Sequence, residues 1–392
     1  MTTDFISGKV AIAGIGATEY SKNSGRSEIQ LGVEAVLAAL NDAGIKPAEV
    51  DGVSTYTMDN NPEIEIHRLI GGKELKFFSR AHYGGGAACA PVLHGAMAIA
   101  SGVADVVVVY RAMNERSGFR FGQGGLLTED PNAFETVHFG WYFPYGLMTP
   151  ASWVAMCAQR YMHEYGATSE DFGRVAVAGR DFAATNPAAF FYQKPITLED
   201  HQASRMIVNP LHLLDCCQES DGASALVMVS AERARSLKQK PVLVKAAAQG
   251  AADQPQMMTN FYRKQISGLP EVDLVAKTLY SQAKLGPDDI QTAVLYDHFT
   301  PFVLPQLEAY GFCKRGEAKD FIRDGHHARG GRLPINTHGG QLGEAYTHGM
   351  NGVLEGVRQA RGQSVNQVAD VENVLVTAGT GVPTSGLILG AV

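Results

Sequence analysis

The sequence predicts an α/β fold built from two similar halves. Two observations carry that prediction: short apolar runs alternate with segments of helical period, and the pattern returns at about half the chain length. Taken in order, Val10-Ala-Ile-Ala-Gly-Ile-Gly16 is an apolar run ended by glycines and reads as a buried strand. Ser27 precedes Glu28, and Val33, Val36, Leu37 and Leu40 fall at i, i+3, i+4 and i+7, one face of a capped helix that stops near Gly44. Val50–Tyr56 is a second strand, Ala96–Gly102 closes another helix, and Asp105–Tyr110, with its run of valines, is a strand buried on both faces.

The second half restates the first. Ala43-Gly-Ile-Lys-Pro47 and Ala283-Lys-Leu-Gly-Pro287 each read as a helix end, a turn and a proline shortly before acidic residues. Gly52–Tyr56 and Thr292–Tyr296 follow them as matching strands. Asp105–Val109 has its counterpart in Asn373–Thr377, and His94-Gly95-Ala-Met97 its echo in His348-Gly349-Met350. The expected halves are 1–235 and 236–392, joined where the polar helix after Ser230 leads into a new strand. Residues from about 113 to 215 interrupt the repeat; rich in aromatics, methionines and glycines, they read as an inserted substrate-facing region.

The 392 residues are 45% hydrophobic and 19% charged, which allows a large globular core. A net charge of -7 without a long basic run argues against nucleic acid as a partner. No apolar run approaches the roughly 18 residues of a membrane helix, and Met1-Thr-Thr-Asp-Phe-Ile has no signal-peptide pattern. A soluble, cytoplasmic protein is expected. The five cysteines form no metal-ligand spacing and are expected to be reduced. His326-His327, with only Asp324 near, lacks a metal-ligand set. Gly14-x-Gly16 has Glu19 where a dinucleotide fingerprint needs its third glycine. Glycine clusters at 84–86, 122–125, 330–331, 339–340 and 379–381 point to tight turns around a site. Met148, Met156, Met162 and Met257-Met258 suit either an apolar pocket or ordinary core.

Several segments resemble the thiolase superfamily, in particular its sterol-carrier-protein-like members. They are Ala98-Ile-Ala-Ser-Gly-Val-Ala-Asp-Val-Val-Val-Val109, Ser220-Asp-Gly-Ala-Ser-Ala-Leu-Val227, Tyr296-Asp-His-Phe299, the Gly339–Gly349 loop and Thr377-Ala-Gly-Thr-Gly381. Their order and spacing cover nearly the whole chain. The resemblance implies the thiolase fold, two α/β halves packed as a five-layer αβαβα sandwich, a homodimer and acyl-CoA substrates.

The departures from the family pattern are informative. The position of the nucleophilic cysteine, counted back from Gly102, falls on Gly85. The asparagine of the family's Asn-Glu-Ala-Phe segment falls on Tyr296, the loop histidine on Tyr346, and the second cysteine on Thr377 or Ala378. Acyl transfer needs a thiolate, and none stands at these positions. The pattern, with Tyr110–Gly122, resembles the bacterial thiolase-like aldolases that cleave steroid side chains. That resemblance implies retro-aldol cleavage of a bulky β-hydroxy acyl-CoA, in the steroid case giving a 17-keto steroid and propionyl-CoA. It also implies a small OB-fold partner domain, usually part of a hydratase polypeptide. No cofactor is expected beyond the coenzyme A of the substrate.

Retro-aldol cleavage needs a base for the β-hydroxyl, a donor for the thioester enolate and an acid for its α-carbon. Tyr296 as base and Tyr346 as donor or acid is the expected assignment, with the roles exchangeable. Asp297, His298 and His348 are candidates for supporting or direct contacts, His338 for the substrate side, and backbone N–H groups near Gly85, Gly379 and Gly381 for an oxyanion hole. Cys89 is weighed as a displaced nucleophile and more readily read as a small buried hydrophobe. A catalytically silent acyl-CoA-binding scaffold is the remaining alternative.

Overall fold

The computed structural model describes residues 5–118, 120, 133–380 and 383–391. Eleven strands are described: β1 (Val10–Ala17), β2 (Gly52–Tyr56), β3 (Phe77–Ala81), β4 (Val107–Asn114), β5 (Met206–Val208), β6 (Leu211–His212), β7 (Asp221–Ser230), β8 (Val242–Gly250), β9 (Thr292–Val294), β10 (Asn373–Thr377) and β11 (Thr384–Ala391). Nine of them run in the order β3-β2-β4-β7-β1-β8-β11-β10-β9, and β5 and β6 form a separate hairpin. The long sheet is two sheets meeting edge to edge. β1 and β8 share only the pairs Ala11–Leu243 and Ile12–Val242, whereas β1–β7 and β8–β11 are paired along most of their length. On each side of that seam the order is the same: first strand, last strand, penultimate strand, second strand. Parallel pairs join β2 to β4 and β9 to β10, while β4–β7 and β10–β11 are antiparallel. β3 lies parallel outside β2, and an isolated parallel bridge from Ala293 to Ile335 stands in its place outside β9. The duplication read from the sequence is therefore visible as topology.

The layers follow from which side chains each strand sends to which face. Val106, Val108 and Tyr110 enter one core with the Glu28–Ala43 helix, while Val107 and Val109 enter another. In the second half Leu375 and Ile388 face the core built on the Pro270–Ala283 helix, and Val374, Val376, Leu387 and Leu389 face back. The shared core contains Val92 and Ala96 of the Ala90–Ala100 helix and Val353, Leu354 and Val357 of the Met350–Arg361 helix. Two helices thus lie between two sheets, with a helical layer outside each sheet, giving the αβαβα order. Burying apolar side chains on both faces of both sheets explains why these strands are continuous apolar runs and do not alternate with polar residues.

Local signals place the helices as the chemistry requires. The Ser27 side chain accepts from the Gln30 N–H, and Gly44 ends the helix with φ +72°. Gly14 and Gly16 have a packing role: a Cβ on either would collide with the Glu28–Ala43 helix backbone at Ala39 or Ala35. The stretch expected as an insertion contains the Pro150–Tyr165 and Ser169–Thr185 helices, whose Val154, Ala158, Phe172 and Val175 pack into the outer core of the second half. One sequence echo is out of register. His94 lies inside the Ala90–Ala100 helix, whereas His348 precedes its helix at φ +51°, so the two histidines are not structural mates. Among the described residues no helix is long and apolar enough to cross a membrane.

Candidate active site

Tyr296 and Tyr346 meet in the central layer. The β9–β10 ladder ends at the pair Val294–Val376, and the chain then leaves the sheet. Side chains replace the lost ladder partners: Asn336 Oδ1 accepts from the Leu295 N–H at 2.8 Å and Thr377 Oγ1 from the Tyr296 N–H at 2.8 Å. Tyr346 arrives from the glycine loop, its N–H bonded to Ser220 Oγ at 3.1 Å. The two phenol oxygens are 3.2 Å apart and the rings meet nearly edge to face, 6.4 Å between centroids. Both side chains are buried. Burial pushes both phenols well above 10; the Tyr346 contact partly offsets this at Tyr296, while Tyr296, Cys217 and Glu115 push Tyr346 further up.

Gly85 explains how a tyrosine fits there. It lies in the Gly84–Ala87 turn ahead of the Ala90–Ala100 helix, and any Cβ on it would collide with the Tyr296 hydroxyl. The phenol occupies the space a side chain at position 85 would fill. Opposite, a Cβ at Gly349 (φ +88°) would stand 2.8 Å from Tyr296 Cε2, so glycine there lets the second central helix start against the ring. The pair therefore sits where both central helices begin, an end that favours negative charge developing on a substrate.

The other expected site residues divide by what they touch. Asp297 holds the glycine loop: Oδ1 accepts the Gln341 N–H at 2.7 Å, and Oδ2 lies where a Cβ of Gly340 (φ +68°) would go. Burial raises this carboxyl to about 6 against the opposing Gln341 N–H and His338. His298 stacks on Phe302 at 5.5 Å and meets the Tyr296 ring edge-on at 4.9 Å, and burial lowers it to about 4. His348 stands edge-on to Tyr346, 5.0 Å between centroids, with Nδ1 2.8 Å from Arg111 Nη2. A guanidinium only donates, so Nδ1 accepts and the neutral ring carries its proton on Nε2. Burial first, then Arg111, holds it well below its usual value. His338 is buried beside Glu344, its Nε2 3.9 Å from Oε2, and is grouped with Asp297 and Glu344. The Gly379 N–H is used by the Gly85 carbonyl at 2.8 Å, which corrects its expected role as a free oxyanion donor. Gly381 and the 122–125 glycines lie outside the described residues.

Four contributors escaped the sequence reading. Arg111 is fully buried, donates to the Tyr56 and Thr57 carbonyls at 2.8 and 2.7 Å and holds His348. Tyr56, the repeat mate of Tyr296, donates to the His348 carbonyl at 2.8 Å and pins that turn. Glu115 follows β4 on the face that carries Arg111 and Met113, buried, with no hydrogen bond to Oε2 among the described residues. Burial, then Glu219, pushes this carboxyl up to about 8 against Arg111 and Lys22. Cys217 closes the cluster, its N–H on the His298 carbonyl at 2.8 Å. A charge after the Val106–Val109 run was the one available signal for Arg111. Cys89 is fully buried, 3.7 Å from the Val376 carbonyl, and burial pushes its thiol well up, which removes it as a nucleophile. The methionines are not gathered here: Met148 and Met156 are exposed, and Met257 and Met258 pack on Phe139, Tyr142 and Trp153.

Duplicated α/β halves around a central helix pair, with the candidate site at the helix starts, define a thiolase-type protein. The comparisons agree. Residues 232–390 match the family model described as thiolase C-terminal domain-like. The human mitochondrial 3-ketoacyl-CoA thiolase superposes with a TM-score of 0.69 at 13% identity over 99% of each chain, a likeness of fold. The chain belongs to the thiolase superfamily and is similar throughout to its aldolases. It is 66% identical over 384 residues, 98% of each chain, to the steroid side-chain-cleaving aldolase of Thermomonospora curvata. It is 65% identical to the 17-hydroxy-3-oxo-4-pregnene-20-carboxyl-CoA lyase of Mycobacterium tuberculosis, covering 98% of this chain and 100% of the relative. The solved Ltp2-ChsH2(DUF35) aldolase has a TM-score of 0.94 at 64% identity over 99% of each chain. Within the superfamily, this protein is thus a carbon–carbon lyase of aldolase type.

Proposed function

We propose that the protein cleaves the side chain of a 17-hydroxy steroid acyl-CoA by retro-aldol reaction, giving a 17-keto steroid and propionyl-CoA. The observation that carries the reading is the 3.2 Å phenol pair, one member filling the space beside Gly85. The relatives' substrate and activity point the same way.

The buried phenols decide the form of the proton transfer. Ionising a free phenol of pKa near 10 at pH 7 costs about 4 kcal/mol, and burial here adds to that. A standing phenolate is therefore disfavoured, and a relay is not. Tyr296 Oη takes the substrate hydroxyl proton as its own proton passes to Tyr346 Oη. Tyr346 gives its proton to the α-carbon. The C–C bond breaks, its electron pair forms the thioester enolate, and the enolate is quenched by that proton. The phenols end as they began, and no covalent intermediate forms. His298 and His348, both held neutral, pack edge-on against the two rings.

The protein is proposed to work as a homodimer joined to a small OB-fold domain carried by a hydratase-type subunit; the name of the similar solved aldolase pairs it with a ChsH2 DUF35 chain. The test is mass spectrometry of the products from a 17-hydroxy steroid-CoA, with and without that domain co-expressed. Release of 17-keto steroid and propionyl-CoA in equal amounts is expected, with activity dependent on the domain. Intact substrate with the complex assembled would favour a silent scaffold.

A pH profile tests the surroundings. Glu115 ionises at about 8, and its charge pushes Tyr346 and Tyr296 up. kcat/KM is expected to fall as pH rises past about 8, and Glu115→Gln to lose that limb. An unchanged limb in the variant would assign it elsewhere. Because the fold raises this carboxyl, it favours protonation, and stability from this group falls as pH rises from the usual carboxylate range towards 8.

A further inference from the structure

The Tyr296 backbone is held by a closed circuit of side chains in which every proton is assigned. Its N–H donates to Thr377 Oγ1 at 2.8 Å. Having accepted there, the Thr377 hydroxyl directs its own proton to Gln306 Oε1, also at 2.8 Å. That contact orients the amide, so Gln306 Nε2 faces the other way and donates to the Tyr296 carbonyl at 3.0 Å and the Phe302 carbonyl at 3.0 Å. Tyr296 and Thr377 are buried and Gln306 is fully so, so water does not stand in for a missing member.

The circuit stands where the sheet ends. Val376 pairs with Val294, and one step further each strand would continue the ladder. Thr377 instead offers its side chain to Tyr296, which holds the two strands together through a longer spacer. Tyr296 leaves the plane of the sheet with both backbone groups satisfied, and its phenol reaches the space beside Gly85. The adjacent Asp297 holds the Gly340–Gln341 backbone of the loop that carries Tyr346. The same short segment thus sets the position of one phenol and anchors the loop of the other.

We propose that Thr377 and Gln306 are positioning residues for the reaction. Without contacting substrate, they fix the Tyr296 backbone so that its hydroxyl lies within proton-transfer distance of Tyr346. The inference rests on the reading of Tyr296 as a reacting group. A displacement of about 1 Å in such a pair costs on the order of 100-fold in rate.

The experiment compares Thr377→Val, Thr377→Ser and Thr377→Cys in the complete complex, with Tyr296→Phe alongside. Thr377→Val removes both hydrogen bonds at nearly constant shape, and kcat is expected to fall about 10- to 100-fold with KM within about twofold. Thr377→Ser keeps acceptor and donor and is expected within about threefold of the parent. Thr377→Cys, a weaker partner of similar size, should lie between them and serves if the valine variant does not fold. Parent-like turnover by the valine variant (or by the cysteine variant, if that one must serve), with Tyr296→Phe inactive, overturns the clamp alone. Equal losses in the serine and valine variants also overturn it, because packing and not the hydroxyl would then be the cause. Parent-like turnover by Tyr296→Phe overturns the proposed function and the clamp with it.

Discussion

Replacing either phenol by phenylalanine is expected to stop cleavage while leaving the molecule folded. Each substitution removes one oxygen from a pair whose rings stay packed among Gly85, Gly349, His298 and His348. General acid–base groups contribute about 100- to 10,000-fold. Because the proposed relay passes through both oxygens, loss of either would break it, and the double variant should be little worse than a single one. The cost in stability is about 1–3 kcal/mol for leaving the partner hydroxyl unsatisfied. Steady-state kinetics and thermal melts of the complexes check both figures. Near-parental kcat in both single variants would remove the phenols from the mechanism.

The second large effect is expected at Gly85. Its φ is not in the left-handed region, so alanine strains no backbone, and the added methyl meets the Tyr296 hydroxyl and the ring carbon Cζ that bears it. Neither side has room to yield. Gly85 is tied to Gly379 through its carbonyl, the next residue stands against the Pro383 carbonyl, and the Tyr296 ring rests on Gly349. Gly85→Ala is expected to cost about 1–3 kcal/mol from overpacking and about 100-fold or more in kcat from the displaced phenol. Gly85→Cys should lose cleavage equally and still fail as an acyltransferase. Intact-mass measurement after incubation with an acyl-CoA should show no stable acyl adduct. An acylated, cleavage-competent Gly85→Cys protein would mean that phenol and thiol share the space, contrary to the packing.

Both expectations depend on contacts between the halves. Tyr296 and Tyr346 belong to the second half and Gly85 to the first; Tyr56 and Arg111 reach across to the turn that carries His348. A fault in how the sheets meet would therefore be felt first at the site.

Much of the plan was legible along the chain. Ser27 and Gly44 marked a helix, the valines of β4 marked a strand buried on both faces, and the restated Pro47 and Pro287 turns marked duplication. These signals are local, because capping, periodicity and turn chemistry depend on neighbours in sequence. The resemblance to thiolases also placed Gly85, Tyr296 and Tyr346 at one expected site that lacks the family's nucleophilic thiol. Tertiary structure alone decided what each group touches there. Asp297 faces the Gly340–Gln341 backbone, the Gly379 N–H is taken by Gly85, and Thr377 grips the backbone of Tyr296. A hydrogen bond or a pKa shift depends on atoms brought within about 3 Å from distant parts of the chain. The residue types set which chemistry was open to this protein, and the packing of segments distant in sequence set what each group touches.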